Sequence, residues 1–139
     1  MKLKQMILIV LFVVSVSVVH ADANPYDYGK LHVTLLNQDP DPADPGDYVD
    51  IRFKVQKLGN AELRDITFRL QESYPFSFDG ADKAVRDIGG WEGQPEDDEY
   101  LILHYKMRVD GDALEEDYTL TLEYRHNKVP DWVSAEYDI

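Results

Sequence analysis

The chain is 139 residues long, carries 27 acidic against 14 basic side chains for a formal charge of −13, and contains no cysteine. A folded surface this acidic repels phosphate backbones and anionic headgroups, which sets nucleic acid and lipid surfaces aside as partners. The missing thiols exclude disulfide staples, thiol catalysis, iron–sulfur ligation and cysteine-type zinc sites.

The first element is an export signal. Lys2 and Lys4 precede an apolar run from residue 6 to residue 19, broken only by Ser15 and Ser17. Ala21 and Ala23 then supply small residues for a signal peptidase, and cleavage after either one satisfies its rule. The run is short against the ~20 residues a spanning helix needs. The alternative is a retained N-terminal membrane anchor. Residues 1–23 are assigned to the signal peptide and residues 24–139 to one domain. Removal of residues 1–23 takes away Lys2, Lys4 and Asp22 and leaves −14. No membrane insertion of the mature domain is expected.

Beyond the signal the apolar period is two. Leu31, Val33 and Leu35 alternate with Lys30, His32 and Thr34. Val49, Ile51, Phe53 and Val55 alternate with Asp50, Arg52 and Lys54. Ile66, Phe68 and Leu70 alternate with Thr67, Arg69 and Gln71. The same rhythm runs through Leu101, Leu103, Tyr105, Met107 and Val109, and again through Tyr118, Leu120, Leu122 and Tyr124. Val133, Ala135, Tyr137 and Ile139 form a last alternating stretch. One apolar face per stretch is the pattern of half-buried antiparallel strands. Tyr74 to Phe78 reads as an edge strand or bend marked by Pro75, and residues 84–88 as a short strand. Residues 110–116 offer room for one helical turn.

Turn chemistry falls between these stretches. Asp39 to Asp47 holds Pro40, Pro42 and Pro45, which cannot donate to a ladder, and closes through Gly46 and Asp47. Leu58 to Ala61 reads as a tight connection, Gly89 to Glu99 as a loop, and Asn127 to Pro130 as a break. Short strands between regular turn signals predict an all-β, immunoglobulin-like antiparallel β-sandwich of about seven strands. A closed barrel is the rival architecture.

Pro45, Gly46, the alternating residues 48–58 and the Gly59–Asn60 hairpin resemble the opening of an immunoglobulin-like module of archaeal cell-surface proteins. That group is S-layer-like and related to CARDB- and NEW3-type domains. Tyr74 to Phe78, the 100–109 strand, the 109–113 turn and the stretch from Asp117 to Leu120 extend the resemblance over residues 30–125. The family usually enters its late strand through Gly-x-Tyr, where this chain has Glu116, Asp117 and Tyr118. The resemblance implies a spacer, adhesin or assembly unit and carries no activity with it.

Candidate chemistry is sparse. Asp39, Asp41, Asp44 and Asp47 sit on an irregular loop and supply the hard oxygens calcium takes, although the prolines break the helix-loop-helix spacing. The competing account of the segment is a stiff, solvated linker. Glu96, Asp97, Asp98 and Glu99 form a second acidic run. Of the histidines, His32 and His104 fall on the wet sides of strands, and neither pairs with another histidine at ligand spacing. No serine stands in a Gly-x-Ser-x-Gly elbow, and Gly89, Gly90 and Gly93 lack the lysine and helix of a phosphate cradle. Trp91 is the aromatic residue to weigh for stacking on a sugar ring, against a role as a plug for the open end of the sandwich. Tyr26, Tyr28, Tyr48 and Trp132 are further candidates for exposure.

Taken together these features predict a non-catalytic, exported cell-surface module with a structural, adhesive or assembly role. Its partners would be other surface modules or further copies of itself, and no cofactor is required. The second reading is a ligand-binding module for carbohydrate or calcium on the same sandwich.

Overall fold

In β2 (Tyr48–Leu58), the side chains of Val49, Ile51, Phe53 and Val55 are wholly removed from solvent, while Asp50, Arg52 and Lys54 keep partial contact with it. This is the period-two pattern acting as written: each inward aliphatic or aromatic side chain gains ~1.5–3 kcal/mol by leaving water, and β-branched residues suit the pleat. The computed structural model describes residues 30–92 and 99–139. The export signal, Tyr26, Tyr28 and Glu96, Asp97 and Asp98 lie outside the described residues.

The other strands are β1 (Lys30–Asp39), β3 (Leu63–Leu70), β4 (Phe76–Ser77), β5 (Val85–Trp91), β6 (Leu101–Val109), β7 (Thr119–His126) and β8 (Val129–Asp138). They form two antiparallel sheets, ordered β1-β2-β6-β4 and β5-β3-β7-β8. The first order, with β3-β7-β8 opposite, is that of an immunoglobulin-type Greek key, and β5 adds a strand outside β3. The described strands number eight rather than about seven, because both the short β4 and β5 pair.

The core is the inner faces of the two sheets. Phe53 stands edge-on to Tyr105 and Tyr137, and Phe68 packs against Tyr124. Tyr118 and Tyr124, expected in the core, are half-buried at its margin. The Tyr105 hydroxyl is buried without a partner, and burial pushes it far above the ordinary tyrosine range.

Four local expectations fail. Residues 110–116 hold turns and bends, not a helical turn. Gly89, Gly90 and Trp91 belong to β5, not to a loop, because β5 irregularly tracks β3 up to the Leu63–Trp91 pair. Pro130 lies inside β8 rather than ending it. β8 is an edge strand with a register shift beside Pro130, so a missing N–H is tolerated there. The Asp39 to Asp47 segment is not an extended linker. It turns back on itself, with Asp47 N–H donating to Asp44 O at 3.1 Å and Gly46 N–H to the carbonyl of Val109 at 3.2 Å.

Candidate functional site: an acidic cleft at one end

The β2–β6 ladder, with Tyr48 opposite Arg108, brings the end of the Asp-Pro loop beside the loop that follows β6. Val109 N–H donates to Asp47 O at 2.8 Å, and Asp110 N–H to Pro75 O at 2.9 Å. Gly46 adopts φ +86°, a conformation that costs a side-chain-bearing residue, and an added Cβ would stand 3.9 Å from Gly111 Cα. Two loops about seventy residues apart in sequence therefore meet at one end of the sandwich. Between them lies a cleft of about 590 Å³.

Its apolar lining comes from Pro42, Pro45, Pro75, Phe76, Tyr118 and Ile139. Phe76 is itself nearly buried, and its ring stands edge-on to Tyr118. Tyr118 and Ile139 exchange two backbone hydrogen bonds, at 2.9 and 3.1 Å, which fix that wall. The Tyr118 hydroxyl donates to Leu114 O at 3.0 Å. Leu114 itself is 68% exposed at the lip, the largest exposure among the described large hydrophobic residues.

Five carboxylates line the same cleft: Asp41, Asp44, Glu115, Glu116 and Asp117. Among the described residues no Lys, Arg or His side chain lines it. Asp41 accepts a hydrogen bond from Gln38 at 3.2 Å. Among the described residues none of the five is in an ion pair.

Of the four aspartates singled out in sequence, the structure brings Asp41 and Asp44 to the cleft. Asp39 ends β1, and Asp47 meets β6 through its backbone carbonyl. Among the described residues no three His, Cys, Asp or Glu side chains stand close enough to hold a metal ion. Glu115, Glu116, Asp117 and Leu114 are not among the site candidates the sequence offers. The Glu-Glu-Asp run was visible, but its meeting with Asp41 and Asp44 depends on strand pairing.

Trp91 sits at the other end. Its ring is half-buried against the core, and its indole N–H donates to Glu99 at 2.9 Å. Trp132 lies on the outer face of the second sheet with the guanidinium groups of Arg69 and Arg125 over its ring, 4.4 and 4.6 Å from the centroid. Arg69 is bound by both Nε and Nη2 to Glu123, a residue with little exposure. A hydrogen bond from Gln71, and then the Arg69 pair, hold the Glu123 carboxyl below its ordinary range. His104 is exposed and lies 2.7 Å from Asp50. His32 is exposed on β1.

No protein-family model matches the chain, and no curated protein matches it.

Proposed function

We propose that this chain is a non-catalytic, exported module of a cell surface, with a structural or adhesive role in assembly. The supporting observation is the side of the sandwich where β1 and β8 run. Each is ten residues long and, among the described residues, pairs on one side only. The Tyr137 hydroxyl spans from β8 to the carbonyl of Val33 on β1 at 3.1 Å. Beside that bond is a gap of about 180 Å³ lined by Leu31, Val33, Leu122, Val133 and Ala135. Two open ladders flanking an apolar seam form a surface that a neighbouring sandwich can extend by strand pairing.

The ladder is limited on both strands. β1 shifts register between Leu35 and Asn37, and β8 shifts between its pairings with Tyr124 and His126. Bulges of this kind restrict promiscuous pairing. The pairing stretches are therefore residues 30–35 and 133–138. On this reading the partners are modules of the same kind or further copies of the chain, which is the sense in which the S-layer-like resemblance applies.

Sedimentation of the processed protein over a wide concentration range at physiological salt tests the proposal. Concentration-dependent association that a Val33→Lys/Ala135→Lys pair abolishes is the expected result. A monomer at every concentration, with no surface-layer component retained on it, contradicts it.

A further inference from the structure

We infer that the end cleft is a docking site for a basic segment of another protein, one that carries aliphatic or aromatic side chains between its lysines or arginines. This surface is separate from the β1–β8 side, and the inference stands whether or not that side assembles.

Charge complementarity decides the occupant. Among the described residues five carboxylates and no cation line the cleft, so a cationic side chain entering it meets attraction. The apolar walls add a second requirement. A bare divalent ion would use the carboxylates and leave Phe76, Tyr118, Ile139 and Leu114 unused, and among the described residues no group gathers as a metal cage. A second copy of this chain, with a net charge of −13, meets like charge at this acidic lining, so copies that pair along the β1–β8 side would not seat here. Nucleic acid is repelled for the same reason.

Size and rigidity agree with this occupant. About 590 Å³ falls within the range of pockets that enclose small ligands, and suits a few side chains of a peptide. Backbone hydrogen bonds join both loops and the Tyr118–Ile139 wall to the sandwich, so little order has to be created on binding. Leu114 stands at the lip, positioned to cover an apolar side chain once one is seated.

The test is a titration of the isotope-labelled, processed protein with the peptide Lys-Leu-Arg-Trp-Lys-Val-Arg-Leu, followed by amide shifts. Saturable shifts centred on Ala113, Leu114, Glu116 and Tyr118 are expected. A Glu115→Lys/Glu116→Lys variant should bind about tenfold more weakly, and raised salt should weaken the wild type. Leu114→Ser should also lose affinity. All three positions are exposed, so an unchanged melting temperature will show that the variants fold. Several results would overturn the inference: no saturable binding; shifts confined to residues 30–35 or 133–138; equal binding of a Gly/Lys peptide that lacks apolar side chains; or the same shifts on adding calcium alone. The concentration series without peptide reports on strand-edge assembly separately.

Discussion

The two ends of the sandwich treat polar and apolar side chains in opposite ways. At the end reached by the last residues of β2 and β7, polar side chains turn inward. Lys57 and His126 are each 2% exposed, and Trp91 packs against the core beside Leu63. The Lys57 amine donates to Ala61 O at 3.1 Å, and the His126 ring stacks on Tyr124. At the other end apolar side chains turn outward: Leu114, on the cleft beside its carboxylates, is 68% exposed, and Tyr74, whose ring meets Tyr118, is 61% exposed. Among the described residues one end is closed by the chain's own side chains and the other is left open. Exposed aliphatic surface next to unpaired charge is the combination on which the docking proposal rests.

Substitutions graded by effect can break that contrast. Phe53→Ala sets the upper bound, because its ring is fully buried midway between the ends and touches Tyr105 and Tyr137. A loss of about 3–5 kcal/mol in denaturant unfolding is expected. The ends themselves should then separate. Trp91→Ala, at the closed end, should cost about 2 kcal/mol, since the ring is only partly buried. Leu114→Ala, at the open end, should change stability by less than about 0.5 kcal/mol. Equal costs at the two positions would remove the contrast.

Gly46→Ala sharpens it at the open end. The positive φ, not crowding, is the obstacle there, so about 1 kcal/mol should be lost in the same unfolding assay. The closed end has a pH signature. Burial holds the His126 imidazole below its ordinary value of 6.5, and the buried Nε2 has no hydrogen-bond partner. Below pH 6.5 the unfolded chain takes up this proton before the folded one does. Its contribution is therefore complete above pH 6.5 and is lost as pH falls from there through the folded value. Unfolding free energy measured from pH 7 down to about 5 should decline in the wild type and decline less in His126→Phe. An identical slope in both would show that this histidine does not report on the closed end.

Much of the sandwich was legible because burial in a strand repeats every second residue. The alternation that marks Val49, Ile51, Phe53 and Val55 as core continues in the same register to Lys57, and that of Leu120, Leu122 and Tyr124 continues to His126. The buried lysine and histidine were thus readable from phase alone, against their polarity. The acidic cleft was not readable. Asp41 and Asp44 attracted notice as a loop cluster, but Glu115, Glu116 and Asp117 join them only through the β2–β6 register and the Tyr118–Ile139 bonds. Periodicity does not encode pairing between loops. Trp132 was also opaque in sequence, because its two stacked arginines come from β3 and β7, while the ring comes from β8.

Hydroxyl-radical footprinting of the protein probes the difference between the ends most directly, with side-chain oxidation read by mass spectrometry. Leu114 and Tyr74 should be modified rapidly, with Trp91 slower than its intrinsic reactivity would give and Tyr105 and His126 protected. Rapid modification of His126 and Trp91 together with protection of Leu114 would reverse the assignment and contradict this account of which end is open.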